Sequence, residues 1–388
     1  MKIVHVAAYY HEPLDNGYQV YNLVKQHLAQ GHEVHIITCD EANSLKNYQE
    51  NTRKLGHASA IAQGIYTSEL GALVHRLPVN FKVTGRNWWK FYESKLLDIG
   101  PDYLIVHSIL EFQSLRLLYI AKKLNCPIVF DDHTTANLVR NTWSGKIAYL
   151  LFRLFFAKKI YNLADKIIGI SSSCMGVLAQ NFGLTGQKVM LVSLGTDTTL
   201  YYPDQQKRTT QRQSLGLSDG HILVVYTGKV YEDKKVHLLI DALNDEEVTN
   251  GKSVTLQIVG TVYDAYQPLL TSKISTAKNA VVLTPNLPQE KLPFVYNAAD
   301  IAVWPAHTTI STLDASACGI PIVCADYMTE RYKNDNGIGI ADGDITQLKA
   351  ALKVLINNAN LRKQMGNRGV LLIEAENSWE VIAKKFIS

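Results

Sequence analysis

The chain has 388 residues, of which 47% are hydrophobic and 19% are charged, and its formal net charge is +4. This length predicts two or three domains with sizeable cores, and the weak positive charge argues against a dedicated nucleic-acid binder. The five cysteines form no Cys-x-x-Cys pair, which favours a reduced cytosolic chain over a disulfide-stabilised one.

The first predicted element is a strand. Residues 1–7 form a short apolar run that leads into polar residues, which is typical of a strand and not of a signal peptide. No apolar stretch approaches the roughly 18 residues that a membrane-spanning helix needs. We therefore expect a cytoplasmic protein, either free or held peripherally on the inner face of the plasma membrane.

Strand and helix patterns alternate along the first half of the chain. A helix is predicted over 17–29, because apolar residues recur there at helical spacing and Gly31 follows. Such repetition predicts a parallel sheet with helices on both faces. The strands predicted in this half are 3–7, 33–38, 102–107, 128–130, 166–170 and 189–192.

The alternation restarts in the second half, which predicts two doubly wound, Rossmann-like α/β domains facing each other across a cleft. Ligands of such sheets bind beyond the carboxyl ends of the strands. The predicted N-terminal domain is 1–198 with a returning helix at 378–388, and the second domain is 199–377. Asn377 or Ser378 is the predicted N-cap of the returning helix. The strands predicted in the second half are 222–227, 255–259, 280–283, 301–304 and 322–325.

The segment 304–323 carries the most specific motif. It predicts a strand end, a polar loop, a short helix and a Gly-x-Pro turn into a buried strand. The backbone N–H groups of Thr309, Ile310 and Ser311 would lie at a helix N-terminus, which favours a phosphate. Asp314 is the carboxylate of this segment, and it is placed to accept hydrogen bonds from sugar hydroxyls.

Two cations follow the strand predicted at 222–227. Gly228 permits a close backbone approach, and Lys229 and Lys234 are five positions apart. Both ammonium groups can converge on one diphosphate and neutralise its negative charge. The alternative interpretation is a solvated basic turn.

Histidines follow two strands of the first half. His133 comes just after the strand at 128–130, where ligands are expected, and His107 at the end of 102–107 is the second candidate. The alternative role for either is a structural hydrogen bond. Asp131 and Asp132 precede His133, but no carboxylates recur at metal-ligand spacing, so no metal is expected.

These motifs resemble the retaining glycosyltransferases of the GT-B fold, and glycosyltransferase family 4 in particular. The family's usual pair of glutamates, eight positions apart, corresponds here to Ala306 and Asp314, so the first acid is absent. Lys229 stands in place of arginine in the family's Gly-Arg-x-x-x-x-Lys-Gly signature, and Lys234 matches its lysine. The resemblance covers nearly the whole chain.

The resemblance also implies roles for single residues. His133 matches a histidine that touches the transferred sugar. Gly17 matches a glycine-containing loop near the diphosphate or the acceptor, although Asn-Gly is equally a plain turn signal. Asn286 and Leu287 match a loop whose backbone faces the nucleotide base.

The function implied by the resemblance is that of a retaining, metal-independent glycosyltransferase. It would move a sugar from a UDP- or GDP-linked donor to a glycan or lipid-linked acceptor, in bacterial-type surface polysaccharide or glycoconjugate assembly. No cofactor is implied besides this nucleotide-sugar substrate. Two alternatives remain, a catalytically weak sugar-nucleotide-binding scaffold subunit and a nucleotide-sugar 2-epimerase of the same fold.

Two segments, 86–92 and 146–161, combine large aromatic side chains with cations and little acid. Helices of this composition can lie at a bilayer interface, so an anionic membrane surface is a further candidate partner. The alternative is that they are core helices whose lysines extend to water.

Overall fold

The structure is a computed structural model of the chain, and it describes residues 1–8, 10, 19–40, 63–83, 86–110, 113–139 and 142–388. The chain divides into two compact units. The first consists of Met1–Ser193 with Ile382–Ser388, and the second is Leu194–Val381. Each is built on a sheet whose strands are wholly or largely parallel.

The first unit contains an eight-stranded sheet and a separate hairpin. The strands of the sheet are β1 Lys2–Ala7, β2 Glu33–Cys39, β3 Gly64–Thr67, β4 Leu73–Leu77, β7 Tyr103–His107, β8 Ile128–Asp132, β9 Lys166–Gly169 and β10 Val189–Leu191, and the hairpin is β5 Val79–Val83 with β6 Arg86–Trp89. The strand order is β10-β9-β8-β7-β1-β2-β4-β3, and only the edge strand β3 pairs antiparallel among the described strands of this sheet. All six predicted strands are confirmed to within two residues.

Six α-helices of the first unit are described. They are α1 Gln19–Ala29, α2 Tyr92–Ile99, α3 Ser114–Leu124, α4 Trp143–Phe152, α5 Lys158–Leu163 and α6 Ser172–Gln180, and a π-helical segment, Arg153–Ala157, joins α4 to α5. Side-chain oxygens start two of these helices, because Thr142 Oγ1 accepts from Gly145 N at 3.2 Å and Ser171 Oγ accepts from Cys174 N at 3.2 Å. Strands and helices share one core cluster that includes Leu104, Leu117 and Phe182.

The helix expected over 86–92, whether interfacial or part of the core, is wrong. Arg86–Trp89 is strand β6, which pairs antiparallel with β5. Trp89 is 1% exposed and belongs to the core, while Trp88 stacks on Phe81 with ring centroids 5.8 Å apart. The aromatic residues therefore serve packing and cross-strand pairing here, which composition alone does not separate from an interfacial role.

The second unit is built on six parallel strands. They are β11 Ile222–Thr227, β12 Val254–Val259, β13 Ala280–Thr284, β14 Ile301–Val303, β15 Ile322–Ala325 and β16 Gly337–Ile340. The five predicted strands are confirmed to within one residue, and β16 was not predicted because its Gly-Ile-Gly-Ile sequence gives a weak strand signal. The helices described in the second unit are α7 Gln205–Ser214, α8 His237–Leu243, α9 Glu246–Thr249, α10 Gln267–Ser275, α11 Leu292–Ala298, α12 Ser311–Ala317, α13 Ile345–Asn357 and α14 Ala359–Leu372, with a π-helical segment at Ile373–Asn377.

The strand order of the second sheet is β13-β12-β11-β14-β15-β16. Counted within this unit the order is 3-2-1-4-5-6, the arrangement of a dinucleotide-binding Rossmann sheet. The chain reverses its winding direction between β11 and β14, and ligands of such sheets bind beyond the carboxyl ends of the strands at that switch point. The loops after Thr227 and after Val303 both start there.

The last helix, α15 Trp379–Ile387, begins at the predicted N-cap. Ser378 Oγ accepts from Val381 N at 3.3 Å. The end of this helix is part of the first unit, where the Tyr103 hydroxyl donates to the carbonyl of Phe386 at 2.9 Å.

Two glycines bring the ends of β11 and β12 into close backbone contact. Gly260 has a φ of +149°, and a Cβ built on it would lie 1.9 Å from the carbonyl oxygen of Gly228. Gly228 N in turn donates to the carbonyl of Val259 at 3.0 Å. No side chain fits at position 260 unless the backbone moves.

We expect Gly260→Ala to lower the free energy of unfolding by on the order of 3–5 kcal/mol, because it adds both backbone strain and a clash with backbone. Gly220→Ala is the matched control, since Gly220 has a φ of +81° but open space around its Cβ position. The control should lose about 1–2 kcal/mol, from the left-handed conformation alone. Equal urea midpoints for the two variants would contradict the packing argument.

Candidate active site

The two predicted lysines follow β11 at the switch point of the second sheet. Lys229 is exposed, whereas Lys234 is 8% exposed and lies on a 3₁₀ turn, Glu232–Lys234. Lys234 Nζ donates to the carbonyl oxygen of His307. Burial lowers the pKa of Lys234 to about 8, with Asp342 raising it and Lys229 lowering it further. The ammonium group therefore remains largely charged at neutral pH.

The loop after β14 is fixed by hydrogen bonds from several directions. Trp304 Nε1 donates to the carbonyl of Thr227 at 2.9 Å, which ties this loop to the end of β11. His307 N donates to Asp342 Oδ1 at 3.1 Å, and Ala325 N donates to Thr308 Oγ1 at 2.8 Å. These hydrogen bonds give the loop a defined conformation beside Lys234.

The three residues predicted to face a phosphate continue this loop. Thr309, Ile310 and Ser311 are half-buried, and Thr309 Oγ1 is a buried atom that has no hydrogen-bond partner in the described part of the chain. Helix α12 then begins at Ser311 and has seven residues. Lys234 and this loop are thus brought together by the fold.

Asp314 lies on α12 and accepts a hydrogen bond from the hydroxyl of Thr196. Burial raises the pKa of Asp314 to about 7, although the Thr196 hydrogen bond and the charge of Arg331 act in the opposite direction. The carboxyl group is therefore close to half ionised at neutral pH, and a ligand that donates hydrogen bonds would favour its charged form.

Sequence reasoning missed Arg331, which lies on the turn Thr329–Arg331 and is 2% exposed. Its Nε and Nη1 atoms have no hydrogen-bond partner among the described residues, and Nε lies 3.9 Å from Glu330 Oε1. Burial lowers the pKa of this guanidinium group. No spacing in the sequence connects position 331 with Asp314. Thr196, whose hydroxyl donates to Asp314, was likewise not expected at the site.

Asn286 and Leu287 follow β13, at the carboxyl edge of the same sheet. Asn286 is exposed, and Leu287 is half-buried against the core of the second unit. The position of the missing family acid is also well defined, because Ala306 is buried. A larger side chain at position 306 would have to displace the atoms that now surround the alanine.

The two candidate histidines belong to the first unit, where they share one carboxylate. His107 Nδ1 lies 2.7 Å from Asp131 Oδ2, and both side chains are buried. His133 is 46% exposed, with its Nε2 atom 3.7 Å from Asp131 Oδ1. Partial desolvation disfavours the charged ring, but the interaction with Asp131 outweighs it and raises the pKa of His133. His133 is thus the histidine that a substrate can reach, and His107 lies behind it.

Gly17 lies outside the described residues, as does Asn16 beside it. Within the described ranges, no group of three His, Cys, Asp or Glu side chains is arranged to hold a metal ion. No helix among the same residues is long and apolar enough to cross a membrane.

Comparison with known proteins defines the family. Residues 17–200 match the family described as Glycosyltransferase Family 4, and residues 207–370 match the family described as Glycosyl transferases group 1. The structure of Anabaena HepE in complex with UDP is 15% identical, with a TM-score of 0.69 over 100% of this chain and 98% of that chain. The fold is therefore GT-B, and the chain belongs to the family 4-like, group 1 glycosyltransferases.

Two curated relatives are similar over part of their length. A D-inositol 3-phosphate glycosyltransferase of Segniliparus rotundus is 27% identical over 215 residues, which make up 53% of this chain and 47% of that relative. A GDP-mannose-dependent alpha-(1-6)-phosphatidylinositol monomannoside mannosyltransferase of Mycolicibacterium smegmatis is 28% identical over 176 residues, or 43% of this chain and 45% of that relative. The chain thus spans about half the length of these relatives.

The raised pKa of Asp314 predicts a pH-dependent stability. Between the ordinary aspartate value of 3.8 and about 7, the folded state holds a proton that the unfolded state has lost. The free energy of unfolding therefore falls as pH rises through this window. Because Asp314→Asn has no such proton, its stability relative to the native chain should grow from pH 4 to pH 7 and then level off, by up to about 4 kcal/mol.

Thermal denaturation of both proteins across this pH range measures the difference. Asp219→Asn is the control, because Asp219 is exposed in a loop and its replacement should leave the difference flat. A pH-independent difference for Asp314→Asn would show that the Asp314 carboxyl group titrates like an exposed one.

Proposed function

We propose that this protein is a retaining glycosyltransferase that moves a sugar from a nucleotide-diphosphate donor to a glycan or lipid-linked acceptor. The observation that carries the proposal is the convergence of Lys234 with the loop after β14, at the switch point of the second sheet. An exposed cation, Lys229, lies five positions before Lys234 at the same strand end. Family membership supports the reaction class.

The chemistry of the residues fits the departure of a diphosphate. In the proposed reaction, the bond between the anomeric carbon and the phosphate oxygen breaks and negative charge passes to the leaving diphosphate. The two ammonium groups stabilise that charge as it develops, which is where electrostatic stabilisation lowers a barrier. The acceptor oxygen bonds to the anomeric carbon on the face that the diphosphate leaves, and its proton passes to a phosphate oxygen.

The remaining site residues have binding roles in this proposal. Asp314 accepts hydrogen bonds from the ribose hydroxyls, and the backbone of Asn286 and Leu287 faces the base. Backbone N–H groups from Thr309 to Ser311 contact the diphosphate. His133 contacts the transferred sugar, and no metal takes part.

The donor is either a UDP-sugar or a GDP-sugar. The relatives support both, since one solved structure is a complex with UDP and one curated relative is named GDP-mannose-dependent. A thermal-shift panel of both nucleotides and their sugars identifies the base, because a ligand at 100 times its Kd adds about 2.7 kcal/mol of stability. Because the proposed acceptor is a glycan or a lipid-linked molecule, we also propose a role in bacterial-type surface polysaccharide or glycoconjugate assembly.

Ala306 favours a second candidate, a sugar-nucleotide-binding scaffold with little or no turnover. The acid that the family usually has at this position is replaced by a buried methyl group. A scaffold would bind a nucleotide sugar in the panel but would neither transfer nor hydrolyse it. Product formation with any donor therefore distinguishes an enzyme from a scaffold.

We predict that Lys229→Ala and Lys234→Ala each lower kcat/KM for the donor. The expected loss of transition-state stabilisation is on the order of 2–4 kcal/mol, because each variant removes a charge-assisted contact to the leaving group. Lys229→Arg keeps the charge and should retain most of the activity. Sugar transfer or donor hydrolysis, followed by release of the nucleoside diphosphate, measures the effect.

The matched control is Lys278→Ala. Lys278 lies two residues before β13, at the amino end of the same sheet, and pairs with Glu246 at 3.0 Å on the surface. Its loss should leave kcat/KM unchanged. Native rates in both Lys229→Ala and Lys234→Ala would show that these lysines do not bind the diphosphate.

The segment from α4 to α5 supports a membrane-bound acceptor. Trp143 is 83% exposed and Phe155 is 60% exposed, and both are accompanied by the exposed cations Lys158 and Lys159. The sequence from 142 to 164 contains no Asp or Glu. An exposed apolar face bordered by cations matches the surface of an anionic bilayer. We therefore propose that the protein is cytoplasmic and held peripherally at the inner face of the plasma membrane.

We expect the protein to float with anionic vesicles at low salt and to release as salt increases, since surface charges are screened. Lys158→Glu combined with Lys159→Glu should weaken the association several-fold, because each cation near the surface contributes about 1 kcal/mol. Lys122→Glu combined with Lys123→Glu, on the exposed side of α3, is the charge-matched control. Equal flotation of the two double variants would rule out this segment as the membrane contact.

A further inference from the structure

Three buried histidine rings form a continuous hydrogen-bonded row in the first unit, behind His133. His107 Nε2 lies 3.0 Å from His5 Nδ1, and His5 Nε2 lies 3.1 Å from His27 Nδ1. Oxygens close the row at both ends. Asp131 Oδ2 is 2.7 Å from His107 Nδ1, and the carbonyl of Ala383 is 3.2 Å from His27 Nε2.

The row needs one more proton than three neutral rings carry. Both terminal atoms, a carboxylate oxygen and a carbonyl oxygen, only accept hydrogen bonds. The four contacts therefore require four ring hydrogens, whereas three neutral imidazoles supply three. With every contact made, one of the rings is an imidazolium, and the three rings together hold one excess proton.

The surroundings place this charge at the Asp131 end. Burial lowers the pKa of His27 to about 4, which keeps the ring beside Ala383 neutral. Burial and the two neighbouring histidines also lower the pKa of His5 well below its usual value. Burial disfavours the charged form of Asp131, but the charge and hydrogen bond of His107 outweigh this and hold the pKa of Asp131 below its usual range.

We propose that His27, His5 and His107 together hold one buried excess proton, which partly neutralises Asp131 and thereby sets the protonation state of His133. While the excess proton is present, His107 neutralises much of the charge of Asp131 through the carboxylate oxygen that faces away from His133. If the row loses that proton, Asp131 presents its full negative charge to His133 and holds it as an imidazolium. The three row histidines are positioning residues, since none of them faces a substrate.

Few other ionisable groups act on this arrangement. Asp132 also faces His133, but its carboxylate accepts hydrogen bonds from Thr134 N and Thr134 Oγ1, each at 3.1 Å. His32 faces His27, with the ring centroids 6.2 Å apart, and its side chain lies outside the row. Neither group changes the count of four contacts for three rings.

Substitutions at position 27 separate the proton count from the packing. In His27→Leu the row shrinks to two rings, and two neutral rings can make both remaining contacts, from His5 to His107 and from His107 to Asp131. In His27→Gln the amide oxygen accepts from His5 Nε2 and the amide nitrogen donates to Ala383. The two remaining rings then share three contacts, so the excess proton is retained.

The experiment is a pH titration of the ¹⁵N-histidine-labelled full chain, followed by long-range ¹H–¹⁵N NMR, with His133→Asn assigning the His133 signal. The native protein should show one buried imidazolium at pH 8, when exposed histidines are neutral. His27→Leu should lose this signal and raise the apparent pKa of His133 by about one unit, the effect expected of an uncompensated neighbouring charge. His27→Gln and the control His32→Leu should behave like the native protein.

His5→Leu provides a second route if His27→Leu does not fold, because it also leaves a neutral His107 and should raise the apparent pKa of His133. Two results would overturn the proposal. One is a native protein in which every buried histidine ring is neutral at pH 8. The other is a His133 titration that is the same in the native protein, the leucine variants and His27→Gln. The link to catalysis rests on the proposed function, but the NMR readout needs no substrate, so a protein without transferase activity would leave this test intact.

Discussion

The ends of β11 and β12 meet at two glycines, and the position of both candidate phosphate-binding lysines depends on that contact. Because Gly260 has no Cβ, the carbonyl of Gly228 can lie directly against it. The chain can therefore turn straight from β11 into the segment that carries the lysines. The next strand end is tied in as well, since Gly260 N donates to the carbonyl of Thr284 at 3.0 Å. Three neighbouring strand ends are therefore fixed relative to one another by backbone hydrogen bonds.

The second unit also buries three ionisable side chains in surroundings that disfavour their charged forms. Lys234 has a lowered pKa, Asp314 a raised one, and Arg331 retains buried nitrogen atoms without hydrogen-bond partners among the described residues. Each of these groups lowers the stability of the folded protein, because a buried charge without a full set of partners is costly. A ligand that carries both negative charge and hydroxyl groups would recover part of that cost. Such a site favours binding over stability.

The sequence predicted the sheets well because most strands around the candidate site are short and largely apolar, as in β11, β14 and β15. The predictions failed where the deciding interactions are not periodic. Trp89 belongs to a two-stranded hairpin that depends on cross-strand pairing, so the helix expected from composition does not form there. Lys229, Lys234 and Asp314 could be selected because they follow strand ends in a known order of motifs. Arg331 and Thr196 could not, because Arg331 acts on Asp314 through its charge alone and Thr196 lies 118 positions before Asp314.

The sequence also does not show in which direction the side chains of His133 and His107 point. The sequence placed both of them at the ends of parallel strands, with His133 as the first candidate and His107 as the second. It did not show that His107 faces inward, toward β1 and α1, because the direction of a strand-end side chain depends on register and on the helix packed behind it. The pairing of β1 with β7 places His107 beside Ala7 and brings His5 into the same buried layer.

The π-helical segment Arg153–Ala157 determines how the exposed surface from α4 to α5 is oriented. A π turn accommodates one more residue than an α turn, so the residues after it are rotated by about 100° relative to a continuous α-helix. This rotation lets Ala157 and Ile160 pack into the core while Lys158 and Lys159 remain outside. Shortening the segment by one residue would turn the cationic face by roughly a quarter of the helix circumference and bury charge. In this respect, the number of residues between Phe152 and Lys158 matters as much as their identity.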